Sequence, residues 1–235
     1  MNLLNKLFGG NTLYYPGCLT KFVAVKLQDN YMKILTKTGI DFIVLKDLEV
    51  CCGSPVLNGG YEKEAKKLAQ KNFDIFREHA VKKIITSCPA CYKTFSKEYP
   101  LLVKEWDIEA EHITQTIFQA MKKNKYQLKK LDIKINYHDP CHLGRACNIY
   151  DEPRNILEKS GCKVVEMTDT KERSFCCGGG GGLRSNNESL AKRIAKLRLK
   201  QCKTGTLVTT CPLCYLQLKE NAGNKKVLEL SEVIL

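Results

Sequence analysis

The feature that most constrains this 235-residue chain is a cysteine pattern that occurs twice. Each copy contains a single cysteine, then a Cys-Cys-Gly triplet, and then a Cys-Pro-x-Cys group, and corresponding cysteines are separated by 123 to 125 residues. The ten cysteines of the pattern are Cys18, Cys51, Cys52, Cys88, Cys91, Cys141, Cys176, Cys177, Cys211 and Cys214. Ten of the thirteen cysteines obey this pattern, which indicates an internal duplication.

Apolar runs and helical spacings alternate around the cysteines of the first copy. They predict strands at 13–15, 42–45 and 83–87, and helices at 23–34 and 65–76. A further helix is predicted at 113–121, before a lysine-rich linker at 122–132.

The second copy repeats this order. We predict strands at 133–137, 164–165 and 207–210, and helices at 153–157 and 190–197. Alternating strands and helices predict an α/β fold with parallel sheets covered by helices. We expect two pseudo-symmetric, Rossmann-like halves, residues 1–128 and 129–235, whose cysteine sites face a shared cleft.

The net charge of +13 comes mainly from lysines, which we interpret as a solvated surface, with docking to an acidic partner as the alternative. The sequence has no nucleic-acid motif and no run of 18 apolar residues, so we expect neither nucleic-acid binding nor a transmembrane segment. Residues 1–8 are too short and polar for a secretory signal, and we assign them to packing or subunit docking. We expect a cytoplasmic protein, with a partner subunit as its route to any membrane association.

Thiols clustered in a reducing compartment indicate metal or redox chemistry rather than disulfides. Each copy offers five patterned cysteines, whereas a structural zinc and a cubane [4Fe–4S] cluster each need four ligands. Spacing alone favours an iron–sulfur centre over zinc and leaves both open. In each Cys-Pro-x-Cys group the proline suits the first position of a helix, so the second cysteine falls in its first turn, where N–H groups favour a thiolate.

The glycines beside the Cys-Cys pairs also indicate a metal–sulfur centre. Gly53 follows the first pair, and Gly178, Gly179 and Gly180 follow the second. Glycine lets successive backbone N–H groups point at sulfur, so we predict that these residues contact the bound centre. A nucleotide-binding loop is the alternative interpretation of the glycine run, and it is weak because the first copy has no such run.

These motifs resemble the cysteine-rich CCG domain, which occurs twice in the catalytic subunit of heterodisulfide reductase and in iron–sulfur subunits of glycolate and lactate oxidase complexes. The segments Asp139–Arg145 and Cys176–Leu183 are most similar to the heterodisulfide reductase branch. The resemblance implies that the ten patterned cysteines bind two [4Fe–4S] clusters, five cysteines each, in a noncubane form. It also implies that one copy can carry zinc instead.

The surroundings of Cys141 differ from those of Cys18 and suggest where the chemistry occurs. Reducing a disulfide consumes two electrons and two protons, so His142 is a candidate proton donor and Arg145 a candidate anchor for an anionic substrate group. The alternative for both is a structural role. We interpret His138 as a satisfied strand histidine, His79 and His112 as structural, and Cys147, Cys162 and Cys202 as buried small hydrophobes.

The leading functional hypothesis is an iron–sulfur oxidoreductase subunit, similar to heterodisulfide reductase, that reduces a disulfide. The sequence contains no ferredoxin-type cysteine run and no flavin signature, so we expect electrons from a partner subunit with flavin or ferredoxin-type clusters. One alternative is an electron relay for a flavin-dependent 2-hydroxy-acid oxidase. Another is a zinc-stabilised scaffold with no redox role.

Overall fold

A computed structural model describes residues 10–46, 48–126, 128 and 130–235. Residues 1–8, to which we assigned packing or docking, lie outside the described residues. The strands are β1 (Asn11–Tyr15), β2 (Val81–Thr86), β3 (Glu109–His112), β4 (Ile133–His138), β5 (Cys162–Val164), β6 (Thr206–Thr209) and β7 (Lys226–Glu229).

The helices cover the regions between the strands. They are α1 (Cys18–Phe22), α2 (Val25–Lys37), α3 (Ser54–Asn58), α4 (Glu62–Glu78), α5 (Pro89–Lys93), α6 (Tyr99–Leu102), α7 (Ile113–Lys122), α8 (Asp151–Lys159), α9 (Leu183–Asn186), α10 (Glu188–Lys200), α11 (Pro212–Glu220) and α12 (Leu230–Ile234). A π-helical turn, Thr94–Glu98, joins α5 to α6, and a 3-10 turn covers Lys171–Arg173. Among the described residues, none of the helices is both long enough and apolar enough to cross a lipid bilayer.

All strand pairs are parallel, which confirms the predicted α/β class. The first sheet has the order β1-β2-β3, and the second has the order β5-β4-β6-β7. The interior strands β2, β4 and β6 contain buried apolar residues, as expected for parallel sheets that are covered on both faces by helices. Since parallel strands end at one edge of a sheet, the residues that follow β1 and β2, or β4 and β6, are brought together.

The strand predicted at 42–45 is wrong. Only Ile43 pairs there, in an isolated parallel bridge to Leu13, and most of the segment is only partly buried. This bridge lies beside β1 as β5 lies beside β4, so the apolar run marks the correct neighbour but forms no extended strand. The helix predicted at 23–34 is present but begins two residues later, at Val25, because Val23 and Ala24 separate it from the short helix α1.

One hydrophobic cluster joins the two halves of the chain. Tyr14 of β1, Tyr31 of α2 and Tyr137 of β4 are all buried in it. Across the same boundary, the Tyr31 hydroxyl donates a 2.5 Å hydrogen bond to Glu229 Oε1. The two sheets therefore share a core.

The halves also contact each other near their cysteines. Helix α1, which begins with Cys18, packs against α11 of the second half. In the other direction, Lys97 Nζ, in the turn that follows α5, donates a 2.5 Å hydrogen bond to the Ala146 carbonyl oxygen, in the turn that follows Cys141. The first cysteine segment of each half therefore lies against the Cys-Pro-x-Cys region of the other.

Candidate metal centre

The first cysteine site collects five thiols at the end of the first sheet. Cys18 begins α1 just beyond β1, Cys51 and Cys52 precede α3, and Cys88 and Cys91 begin α5 just beyond β2. Their side chains are in hydrogen-bond contact in the order Cys18, Cys51, Cys52, Cys91, Cys88. Sequence-distant thiols thus form one continuous group of sulfur atoms.

The second site repeats this arrangement. Its thiols are in contact in the order Cys141, Cys176, Cys177, Cys214, Cys211, which matches the first site position by position. As the proline positions predict, both Cys-Pro-x-Cys groups begin helices, with the proline at the start and the second cysteine in the first turn. All thirteen cysteines of the chain lie within the described residues, and all are free thiols.

Neighbouring thiols decide which cysteine ionises most readily. The Cys18 thiol donates to the sulfur of Cys51 and is the main reason why the pKa of Cys51 falls to about 2. The Cys141 thiol has the same effect on Cys176, whose pKa also falls to about 2. The donor thiols keep their protons, because these same hydrogen bonds raise the pKa of Cys18 and of Cys141. Each site therefore carries a thiolate at the equivalent position when no metal is bound.

Backbone N–H groups of the glycines donate to cysteine sulfurs. Gly53 donates to the sulfur of Cys51 at 3.4 Å, Gly178 to that of Cys176 at 3.3 Å, and Gly179 to that of Cys177 at 3.4 Å. The Gly180 carbonyl accepts a hydrogen bond from the Leu183 amide in the turn that opens α9, and a contact of Gly180 with the bound centre stays a prediction.

Because Gly17 has no side chain, the space beside Cys88 and Cys91 stays open for a bound centre. Its φ of +80° belongs to the left-handed region, and a Cβ atom there would lie 3.2 Å from both Cys88 Cβ and Cys91 Sγ. Thiolates are soft ligands that suit iron–sulfur clusters and zinc. Clustered sulfurs, amide donors and a glycine that keeps the sulfurs uncovered are the features that such a centre requires, so the residues present fit an iron–sulfur group.

His138 belongs to the second site, so its interpretation as a satisfied strand histidine is wrong. One of its ring nitrogens lies within 4.8 Å of the Cys177 and Cys214 sulfurs. Nδ1 accepts a 3.0 Å hydrogen bond from Arg198 Nε, whereas Nε2 is buried with no hydrogen-bond partner among the described residues. Burial, and then the charge of Arg198, lowers the pKa of His138 to about 3, so the ring is neutral.

The repeat in the sequence could have identified His138 as a site residue. Applying the 123-residue offset to Tyr15 leads to His138, and both residues end the first strand of their copy, three positions before its first cysteine. Arg198 gives no comparable signal, because an arginine in the last turn of an amphipathic helix is ordinarily solvent-exposed. In the structure it is fully buried.

The structure places His142 beside the second site and Arg145 at its border. His142 Nδ1 lies 3.8 Å from the Cys141 sulfur, and burial, followed by the charge of Lys93, lowers the pKa of His142. Arg145 is exposed, and its Nη1 donates a 2.7 Å hydrogen bond to the Ser174 carbonyl oxygen. Arg145 thus holds the segment that leads to Cys176.

The remaining cysteines and histidines lie apart from the patterned thiols. Cys162 and Cys202 are buried among apolar side chains, as predicted. The prediction for Cys147 is wrong, because this thiol is only half-buried and lies near lysines of the first half. His112 caps α7 and His79 bonds to the Ile75 carbonyl, so both have structural contacts.

Known proteins with similar sequences are iron–sulfur and redox proteins. The chain is 33% identical to a subunit of the dihydromethanophenazine:CoB–CoM heterodisulfide reductase of Methanosarcina acetivorans, over 96% of this chain and 58% of that protein. It is 32% identical to the EtfAB:quinone oxidoreductase of Syntrophomonas wolfei, over 94% of this chain and 34% of that protein. It is also 32% identical to an uncharacterized iron–sulfur protein of Methanocaldococcus jannaschii, over 88% of this chain and 41% of that protein.

The chain therefore spans only between about a third and three-fifths of the length of these relatives. Among solved structures, the aspartate racemase of Picrophilus torridus aligns with a TM-score of 0.44 and 9% identity, over 95% of this chain and 90% of that one.

The cysteine-rich domain described by the CCG motif matches the chain twice, at residues 12–96 and 135–219. Each match contains one complete set of five patterned cysteines. The chain belongs to the cysteine-rich CCG domain family.

Proposed function

We propose that this chain is the disulfide-reducing iron–sulfur subunit of an oxidoreductase similar to heterodisulfide reductase. Each half holds one [4Fe–4S] centre on its five patterned cysteines, in a noncubane form. Electrons come from a partner subunit that carries flavin or ferredoxin-type clusters, and the substrate is a small-molecule disulfide.

One observation carries this proposal: five thiols meet in the same order of contacts in both halves. Structural zinc needs four ligands, so it gives no reason to keep a fifth thiol in each copy. The relatives support the same class of chemistry, since they include a heterodisulfide reductase subunit and an iron–sulfur protein.

The reaction that we propose cleaves one S–S bond with two electrons and two protons and gives two thiols. The iron–sulfur centres, when bound, supply single electrons. His142 is the proton donor in this proposal, because its Nδ1 lies 3.8 Å from the Cys141 sulfur. Arg145 uses one N–H for the Ser174 carbonyl and, being exposed, can offer others to an anionic group of the substrate.

The arrangement of the halves supports a shared substrate site. We propose that residues 1–128 and 129–235 are pseudo-symmetric, Rossmann-like copies whose cysteine sites face one cleft. The equivalent strand orders support the symmetry. The reciprocal contacts of α1 with α11, and of Lys97 with Ala146, support the cleft because they bring both cysteine edges to the boundary.

A second candidate function is an electron relay with no disulfide substrate. In this function the chain would pass electrons for a flavin-dependent 2-hydroxy-acid oxidase, the alternative that the sequence also suggested. The relative whose name is EtfAB:quinone oxidoreductase favours it, since its name describes transfer from one redox partner to another. The two candidates share the metal centres and differ in whether a disulfide reacts.

Metal content tests the proposal first. After anaerobic purification, we expect about eight iron and eight sulfide per chain, which corresponds to two four-iron centres. The Cys177→Ala variant should lose about half of this iron, whereas Cys162→Ala, which removes a buried thiol outside the pattern, should lose none. Zinc alone after iron reconstitution would overturn the redox function, and about four iron with one zinc would limit it to one half.

Disulfide reduction then separates the two candidates. With an artificial electron donor, the loaded chain should convert a small-molecule disulfide to two thiols, and its EPR signal should change on addition of a thiol. Inertness towards every disulfide, with normal iron content, would favour the relay. His142→Gln should lower turnover at unchanged iron content, and unchanged turnover would exclude His142 as the proton donor.

A further inference from the structure

His138 is the polar side chain at the second site whose hydrogen bonding is incomplete. It is 1% exposed, and its Nε2 has no partner among the described residues. The Cys177 and Cys214 sulfurs lie within 4.8 Å of a ring nitrogen. A buried ring nitrogen without a partner costs free energy, so the two sulfurs beside this ring, and whatever they hold, are the candidate partners for Nε2.

Arg198 determines which role His138 can play. Arginine has only donors, so the 3.0 Å contact between Arg198 Nε and His138 Nδ1 makes Nδ1 the acceptor. A neutral imidazole that accepts at Nδ1 carries its proton on Nε2. The N–H of His138 therefore belongs to the nitrogen that has no other partner within the described part of the chain.

The polarity of this contact is the reverse of that at a metal-ligating histidine. Such a histidine donates its second N–H to a carboxylate or carbonyl, which leaves the other nitrogen free to bind metal. Here the second nitrogen accepts from a guanidinium, so Nε2 is a donor and not a ligand. Sulfur that is ionised or bridges metals is the acceptor available to it.

Arg198 also adds a buried positive charge to this half of the chain. The side chain is 0% exposed. Its N–H groups reach four uncharged acceptors, namely His138 Nδ1, the Asp169 carbonyl, Gln201 Oε1 and Ser174 Oγ. Positive charge and N–H donors near thiolates both stabilise the reduced, more negative state of a metal–sulfur centre.

The first site lacks this donor at the equivalent position, which lies within the described residues. Tyr15 occupies it and packs with Cys52 and Cys91, the counterparts of Cys177 and Cys214. The Tyr15 hydroxyl donates its proton away from the sulfurs, to the Val50 carbonyl oxygen at 2.7 Å. The two halves thus present equivalent sulfurs but different donors.

We propose that His138 donates a hydrogen bond from Nε2 to sulfur of the second centre. Arg198 is the positioning residue, because it fixes the nitrogen that donates. Together the two residues make the second centre easier to reduce than the first. The inference rests on the proposed function, because it requires iron–sulfur centres in both halves. It assigns a direction to the chain: electrons move from the first half towards the second.

The reduction potential of each centre tests this inference. His138→Phe keeps a ring and removes the donor, so at a fixed ambient potential the reduced-to-oxidised ratio of the second centre should fall about tenfold, ~59 mV for a one-electron couple. Arg198→Met should produce a shift in the same direction, and Arg198→Lys, which keeps a donor, should restore most of the ratio. EPR-monitored titrations give the ratios, and a Cys88→Ser, Cys91→Ser chain identifies the signal of the second centre.

Tyr15→Phe is the matched control, because it removes the equivalent polar group of the first half and should change neither ratio by more than about twofold. Normal iron with an unchanged second potential in His138→Phe would overturn the inference and leave the proposed function intact. Absence of iron from the second site of the unaltered chain would instead refute the two-centre form of the proposed function, and this inference with it.

The histidine tautomer supplies a second test that needs neither a variant nor iron. In the metal-free chain, nitrogen NMR of labelled histidines should show His138 protonated on Nε2. A proton on Nδ1 would overturn the inference even where the His138 and Arg198 variants fail to fold.

Discussion

Arg154 and Asp139 form a bidentate ion pair, in which Nη1 donates to Oδ1 at 2.7 Å and Nη2 donates to Oδ2 at 2.9 Å. Both side chains are nearly inaccessible, at 9% and 3% exposed. Asp139 also accepts the Lys171 amide at 2.9 Å, so one carboxylate connects the turn that bears Cys141 with the segment that leads to Cys176. The pair therefore holds together two parts of the second cysteine site.

Replacing Arg154 should strongly destabilise the chain. Arg154→Met leaves the Asp139 carboxylate buried without its partner, which typically costs about 3–5 kcal/mol. Urea unfolding of the reduced, metal-free chain measures the loss. The control is Arg184→Met, which removes the more exposed 2.8 Å pair with Glu220 and should cost under about 1 kcal/mol. Equal losses in the two variants would contradict this role for the buried pair.

Gly17→Ala should remove the metal of the first site. The new Cβ would press on Cys88 and Cys91 at 3.2 Å, so we expect a loss of about half of the bound iron, the share of one four-iron centre. Gly60→Ala is a close control, because Gly60 has a φ of +83° and open space around it. It imposes the same backbone strain, about 1–2 kcal/mol, without touching a cysteine. Iron loss in both variants would assign the effect to strain alone.

Cys176 should be the most reactive thiol of the metal-free second site. It is exposed, and the thiol of Cys141 lowers its pKa, so it is a thiolate at pH 6, where ordinary thiols are protonated. Iodoacetamide at pH 6, with peptide mass spectrometry, should modify Cys176 at least tenfold faster than Cys147, whose pKa is raised by burial. Cys141→Ala removes the donor and should slow the modification of Cys176. An unchanged rate would show that the donor is not responsible.

Glu229 should make the chain less stable as the pH rises from 4.5 to 7. Burial raises its pKa from 4.5 to about 7, so within this window the folded chain holds a proton that the unfolded chain has released. The contribution is complete below pH 4.5 and is lost by pH 7, on the order of 3 kcal/mol for a shift of this size.

The comparison with Glu229→Gln isolates this effect. The difference in unfolding free energy between the two proteins should decline across the window, and a constant difference would refute the assignment. Glu188→Gln is the control, since the pKa of this exposed carboxyl is lowered by Lys192 and its removal should produce no such decline.

The cysteine spacing predicted the parts of the site that repeat along the chain. An offset of 123 to 125 residues identified both groups of five, and the prolines of the Cys-Pro-x-Cys groups correctly predicted the starts of α5 and α11. These features are local, because a proline at a helix start and a cysteine in its first turn depend on a few neighbouring residues.

The polar contacts around the second site could not be predicted in this way. Arg198 meets His138 across 60 residues, and Arg154 meets Asp139 from the neighbouring helix, so both contacts exist only after the sheet is assembled. The segment at 42–45 failed for a related reason. Its apolar run is suited to a strand, but only one residue reaches β1 to pair with it.

The reciprocal contact between the halves has a consequence for how the two copies can differ. Two identical single-copy molecules that made this contact would meet about a twofold axis, and corresponding positions would then be the same residue in both. Because both copies lie in one polypeptide, corresponding positions can differ, and Tyr15 stands where the second half has His138.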